Sequence, residues 1–134
     1  MEETTRLLSV MKSLMRLLKA HKEELGVNAI TDCVAKMEEY PYIVIGRIST
    51  EDDGTKTSYG ERIIINIELW TKNNGRAKDL MTIKKLQKIL CEGLEPIEGE
   101  DPFVPVAYDL NEIYSEELNY GTFLTTLIFK IRIN

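Results

Sequence analysis

The stretch that most constrains this chain runs from Glu61 to Thr71, where Ile63, Ile65, Ile67 and Leu69 alternate with Ile64, Asn66, Glu68 and Trp70. A period of two sends successive side chains to opposite faces of a pleated strand, so the first set belongs to a core. A strand with one apolar face needs a sheet beside it and a layer to cover it. Pro41 moves Tyr40 away from helical angles and starts a strand from Tyr42 to Ser49. The polar, Gly-punctuated segment Thr50 to Gly60 then turns it into an antiparallel hairpin with Glu61 to Thr71. Val106 to Ile113 and Gly121 to Ile133 read as two further strands, the last with Phe123, Thr125, Leu127, Phe129, Ile131 and Ile133 on one face. A short extended piece is expected near Ala29 to Val34.

Two helices supply the covering layer. From Thr4 to about Glu24, the residues Leu7, Leu8, Met11, Leu14, Met15 and Leu18 share one helical face, with Thr4 or Thr5 to cap the start and Gly26 to end it. After the turn Asn73-Asn74-Gly75, the residues Ala77, Leu80, Met81, Ile83, Leu86, Ile89 and Leu90 trace a second apolar face, opposed by Lys78, Lys84, Lys85 and Lys88. Glu92 to Pro105, rich in acids, Pro and Gly, is expected to be irregular. The order helix, strand, strand, helix, strand, strand predicts an α+β fold: a mostly antiparallel β-sheet with two amphipathic helices packed on one face. At 134 residues the chain is expected to form a single domain, 1–134.

Composition and spacing remove several kinds of chemistry. A net charge of −5 argues against a generic nucleic-acid binder, whose affinity comes from neutralising phosphates, and no sequence-specific nucleic-acid partner is expected. The aromatic residues are interspersed with acids more than with bases, unlike a stacking platform in a positive groove. His21 is the only histidine, and near the rim of the first helix's apolar stripe it reads as a structural residue rather than a catalytic base. Cys33 and Cys91 lack zinc-site spacing and suit a reducing cytoplasm. Glu51-Asp52-Asp53-Gly54 lacks the alternating acids of a calcium loop and reads as a turn. No glycine-rich phosphate loop follows a strand. The apolar run from Leu7 to Leu18 is broken by Lys12, Ser13 and Arg16, which excludes a bilayer span and a signal-peptide core. No catalytic residue, metal ligand, cofactor or membrane partner is assigned, and an enzyme is not expected.

Charge is unevenly placed. Arg6, Lys12, Arg16, Lys19 and Lys22 mark the first helix, whereas Glu92, Glu95, Glu98, Glu100 and Asp101 fill the irregular excursion without a base among them. The expectation is that opposite ends of the domain differ in sign, so that one copy's basic helix could meet the next copy's acidic loop. The plainer reading is two solvated surfaces.

Several short motifs occur in a telling order. Tyr40-Pro41-Tyr42-Ile43-Val44-Ile45-Gly46 precedes a polar hairpin, Ile65-Asn66-Ile67-Glu68-Leu69-Trp70-Thr71 ends it, a helix runs from Gly75 to Leu90, and Gly121-Thr122-Phe123 opens the closing strand. This order resembles the tail terminator, or tail-completion, family of long-tailed bacteriophages and phage-derived particles. In that family a Pro-Tyr element precedes the first long strand and an apolar-Trp-Ser/Thr element ends the second. The acidic, Pro-rich excursion and the basic first helix depart from the family pattern.

The resemblance implies a structural protein. Its subunits would form a homo-oligomeric ring, usually hexameric, that caps the tail tube protein, stops its polymerisation and joins a neck or head-completion protein. In contractile particles it would also touch the sheath protein. Such a chain would assemble in the bacterial cytoplasm and end in a virion or phage-like particle. Loops commonly carry function on a rigid scaffold, so the interaction residues expected are Glu51, Asp52, Asp53, Lys56 and Tyr59 in the hairpin loop. Glu95, Glu98, Glu100, Asp101 and Phe103 in the excursion join them, with Arg6, Lys12, Arg16 and Lys19 as a basic counterpart. The alternatives are a head-closure or neck component, or a small α+β module holding a ligand or peptide between helices and sheet.

Overall fold

The computed structural model describes residues 4–33, 39–52 and 60–134. Its elements are α1 (Leu7–Ala20), α2 (Lys22–Leu25), β1 (Ala29–Thr31), β2 (Tyr42–Asp52), β3 (Glu61–Lys72), α3 (Arg76–Cys91), β4 (Pro105–Asn119) and β5 (Thr122–Ile133). They build a five-stranded sheet in the order β1-β2-β3-β5-β4, antiparallel except for the parallel pair β1 and β2. This is the expected α+β architecture, with helices on one face.

The alternation in β3 sets the layers. Ile63, Ile65, Ile67 and Leu69 are buried, and Leu127, Phe129, Ile131 and Ile133 lie beside them on β5. Val10, Leu14 and Leu18 of α1 and Ile83, Leu86, Ile89 and Leu90 of α3 close this face into one apolar cluster with Leu94 and Phe103 from the excursion. Each such side chain removed from water contributes about 1.5–3 kcal/mol before conformational entropy is subtracted. The opposite rows, Ile64, Asn66, Glu68 and Trp70 on β3 and Leu124, Thr126 and Ile128 on β5, are half-buried and stand outside that cluster.

Three details differ from expectation. The first helix breaks after Ala20, and a separate turn, α2, ends at Gly26 in the left-handed conformation, φ 71°. The buried arc of α1 includes Ser9 and Ser13 while Leu8 is exposed, because the excursion packs along the serine side and accepts both hydroxyls on its backbone carbonyls. In α3 the buried stripe is Asp79, Ile83, Leu86 and Leu90, with Ile89 alongside. Leu80 and Met81 are 45% and 64% exposed, and Ala77 is exposed as well. At about 100° per residue, a stripe anchored at Asp79 turns the positions just after it outward.

Candidate functional site

Buried polar groups show which surfaces the fold has already used. Glu61 opens β3 and is buried, yet it accepts hydroxyl hydrogen bonds from Thr5 and Thr50 and the Arg6 N–H at 3.0 Å, with the Arg6 Nε 3.6 Å away. Burial alone would push this carboxyl up; the hydrogen bonds and the Arg6 charge outweigh it and hold Glu61 below the usual carboxylate range. A carboxylate here also faces the positive end of α1. Thr5 serves the helix start too, accepting the Leu7 N–H at 3.1 Å. Asp79, fully buried in the first turn of α3, accepts from Thr71 Oγ1 at 2.8 Å and Asn74 Nδ2 at 2.7 Å. Local sequence patterning missed both acids as structural centres, because their partners come from other elements or the preceding turn.

The basic helix and the acidic excursion lie against each other within one subunit, not at opposite ends. Lys12 Nζ meets Glu100 Oε1 at 2.7 Å, Ser13 Oγ donates to the Glu95 carbonyl at 2.9 Å, and Ser9 donates to the Asp101 carbonyl. The serine rungs bring the two segments together, and the lysine and glutamate then pair across the seam. Arg6 is engaged with Glu61, and Phe103, at 3% exposure, belongs to the core. Arg16 and Lys19 remain exposed on α1, as do Glu95, Glu98 and Asp101 on the excursion. Arg16 and Glu95 line a shallow groove of about 270 Å³ with Ser13, Leu17 and Glu92.

At the other predicted surface, Glu51 and Asp52 end β2 in exposed positions, with Glu51 Oε1 3.2 Å from Arg62 Nη1. Asp53, Lys56 and Tyr59 lie outside the described residues. The sheet face opposite the helices has two chemically distinct ends. Tyr42 stacks on Trp70 at 6.1 Å with Tyr40 tilted against it, whereas further along Tyr114 donates to Glu112, which pairs with Lys130 at 2.9 Å. Those contacts lower the Glu112 pKa and raise those of Tyr114 and Lys130.

The β4–β5 hairpin carries residues that the sequence reading did not single out. Leu118 is exposed and Tyr120 fully exposed at its tip, beside Glu116 and Glu117. The tip is held rather than loose: Glu117 accepts the Gly121 N–H at 3.1 Å and the Gly121 carbonyl accepts the Asn73 N–H at 2.7 Å. Gly121 has φ 73°, and a Cβ there would strike the Asn73 side chain. The available signal was two large apolar residues just before a turn glycine. Among the described residues, no group of His, Cys, Asp and Glu could hold a metal ion, and no helix is long and apolar enough to cross a membrane.

Comparisons with known proteins bear on the family and the fold. The family model for "Tail completion protein gp17" matches residues 12–101. The tail completion protein gp17 of Bacillus phage SPP1 is 41% identical over 44 residues, a match spanning 33% of this chain and 33% of that protein. In the solved structure of bacteriophage SPP1 gp17 the similarity has TM-score 0.62 and 24% identity, covering 94% of this chain and 89% of that one. A chain in the virion of the native gene transfer agent particle gives TM-score 0.79 and 17% identity over 98% of both chains. The two structural likenesses speak to the fold.

Proposed function

The chain belongs to the tail completion protein gp17 family, and from that premise we propose that it is a structural, non-enzymatic component of a phage or phage-like particle. Its subunits close into a hexameric ring on the end of the tail tube, stop tube polymerisation and join the tail to the neck or head. In a contractile particle the same ring also meets the last sheath ring. Assembly takes place in the bacterial cytoplasm, before the ring is built into the particle.

The observation that carries this reading is the family match over residues 12–101, which takes in α1 from Lys12 onward, the β2–β3 hairpin and α3. The architecture supports it. A closed ring joins two different patches on each subunit, and the sheet has two unlike edges, the three-residue β1 and the fifteen-residue β4. Glu51 and Asp52 end the hairpin and, with Asp53, Lys56 and Tyr59, are assigned to contact with a neighbouring ring or tube. Arg16, Lys19, Glu95 and Glu98 are assigned to the adjoining layer, since they are exposed.

Electron microscopy of tail tubes formed with and without the chain tests the proposal. Rings at tube ends and a regulated tube length are expected when it is present, and overgrown, uncapped tubes when it is absent. A chain that stays monomeric, never binds tube ends and leaves tube length unchanged overturns the reading.

A further inference from the structure

The hairpin tip has a counterpart elsewhere on the molecule. A groove of about 340 Å³ opens between α2, α3 and the end of β3, with the exposed Met81 over a floor of the buried Leu25, Val27 and Leu69, and with Lys78 and Lys85 standing at it. Its lining comes from Leu69 and Thr71 of β3, from Val27 and Pro41 just before β1 and β2, and from the helices, whereas the tip joins β4 to β5. Both lie at the same end of the strands, because Leu69 and Thr71 of β3 pair with Thr125 and Phe123, next to the tip. Within one subunit the Asn73–Gly121 hydrogen bond fixes the tip beside the Asn74 end of the groove, and Tyr120 stays fully exposed rather than seated in it.

We propose that the β4–β5 tip of one subunit docks into this groove on a second copy of the same chain, Leu118 and Tyr120 entering and Glu116 and Glu117 facing Lys78 and Lys85. This assignment rests on the ring reading above and names the contact that closes it. Three observations select a second copy as occupant. The charges are complementary, two carboxylates against two ammonium groups, which sets orientation and excludes like-charged partners. Tip and groove are different patches at one axial level, the tip on the β4 edge and the groove running from the central strand β3 toward the segment that leads into β1, which suits a head-to-tail contact. The tip is preorganised by the Gly121 and Glu117 hydrogen bonds, so little ordering is needed on docking. A tyrosine on a rigid turn, entering an apolar groove, is the kind of residue that dominates an interface.

A photoreactive phenylalanine analogue placed at position 120 reads the contact directly. In rings formed by the purified chain or isolated on tube ends, irradiation and peptide mapping should join position 120 to the Leu25–Val27 or Lys78–Lys85 segment of another copy. Tyr120→Ala should raise the concentration for half-assembly by about tenfold or more while its melting curve stays that of the wild type, since the side chain touches nothing in the subunit. Rings in which position 120 cross-links elsewhere, to the tube or to a neck protein overturn the docking and leave the ring reading intact. So does Tyr120→Ala assembling at the wild-type concentration. A wild-type chain that forms no ring, free or on tubes, overturns both.

Discussion

Glu61 shows how a single charged residue can organise the entry to a fold. Three elements converge on it: Thr5 and Arg6 before α1, Thr50 of β2, and β3 itself. Its folded-state pKa lies below the ordinary carboxylate value, so the unfolded chain binds the proton more tightly and stability rises with pH across that gap. The contribution is complete above the unfolded value of about 4.3 and is lost as pH falls through the folded value. Urea denaturation between pH 7 and 3 should show a wild-type acid limb that Glu61→Gln flattens, with the variant about 1–3 kcal/mol less stable at pH 7. An equal acid dependence in both proteins rules out this role for Glu61. Asp79 works differently, as acceptor for Thr71 and Asn74 at the head of α3. Asp79→Ala strands both donors, and a loss of about 1–3 kcal/mol in the denaturation midpoint analysis is expected.

At the scale of elements, burial separates what holds α3 and the sheet from what α3 presents. Ile65 and Phe129 face each other across the β3–β5 ladder with no exposure. Truncation should cost about 2–5 kcal/mol for Ile65→Ala and about 3–5 kcal/mol for Phe129→Ala, measured by denaturant unfolding. Leu80, on the same helix as the buried Ile83 and Leu86, is exposed. Leu80→Lys should therefore shift stability by no more than about 0.5 kcal/mol. A large loss there would mean that α3 packs with a different face inward. The long edge strand β4 is managed by its own irregularities: register shifts near Pro105, Asp109 and Glu117, and a row of acids that discourages unplanned strand pairing.

For the whole molecule, charge pairing within the subunit and charge exposure at its surface occur side by side. Lys12 and Glu100 already pair within one chain, so reversing either disturbs a local seam of small energetic weight. Glu51 and Asp52 project at the end of the β2–β3 hairpin. The double variant Glu51→Lys with Asp52→Lys should melt within a few degrees of the wild type and fail to cap tubes in a sedimentation or imaging assay. Capping at wild-type efficiency would remove these residues from the contact surface.

The sequence by itself determined the layers. Alternation in β3 and β5 named the core-facing residues, and helical spacing located the two covering helices. These are local properties, written in periods of two and 3.6 residues. Tertiary structure alone decided which polar groups meet, because Ser9 and Asp101 are 92 residues apart and Thr5 and Glu61 are 56 apart. It also turned Leu80 and Met81 outward by giving the buried stripe of α3 to Asp79, whose carboxyl oxygens find partners on β3 and the connecting turn that helical periodicity alone does not reveal. Tip and groove belong to the same category: they are surfaces only once five strands fix which edges the chain leaves open.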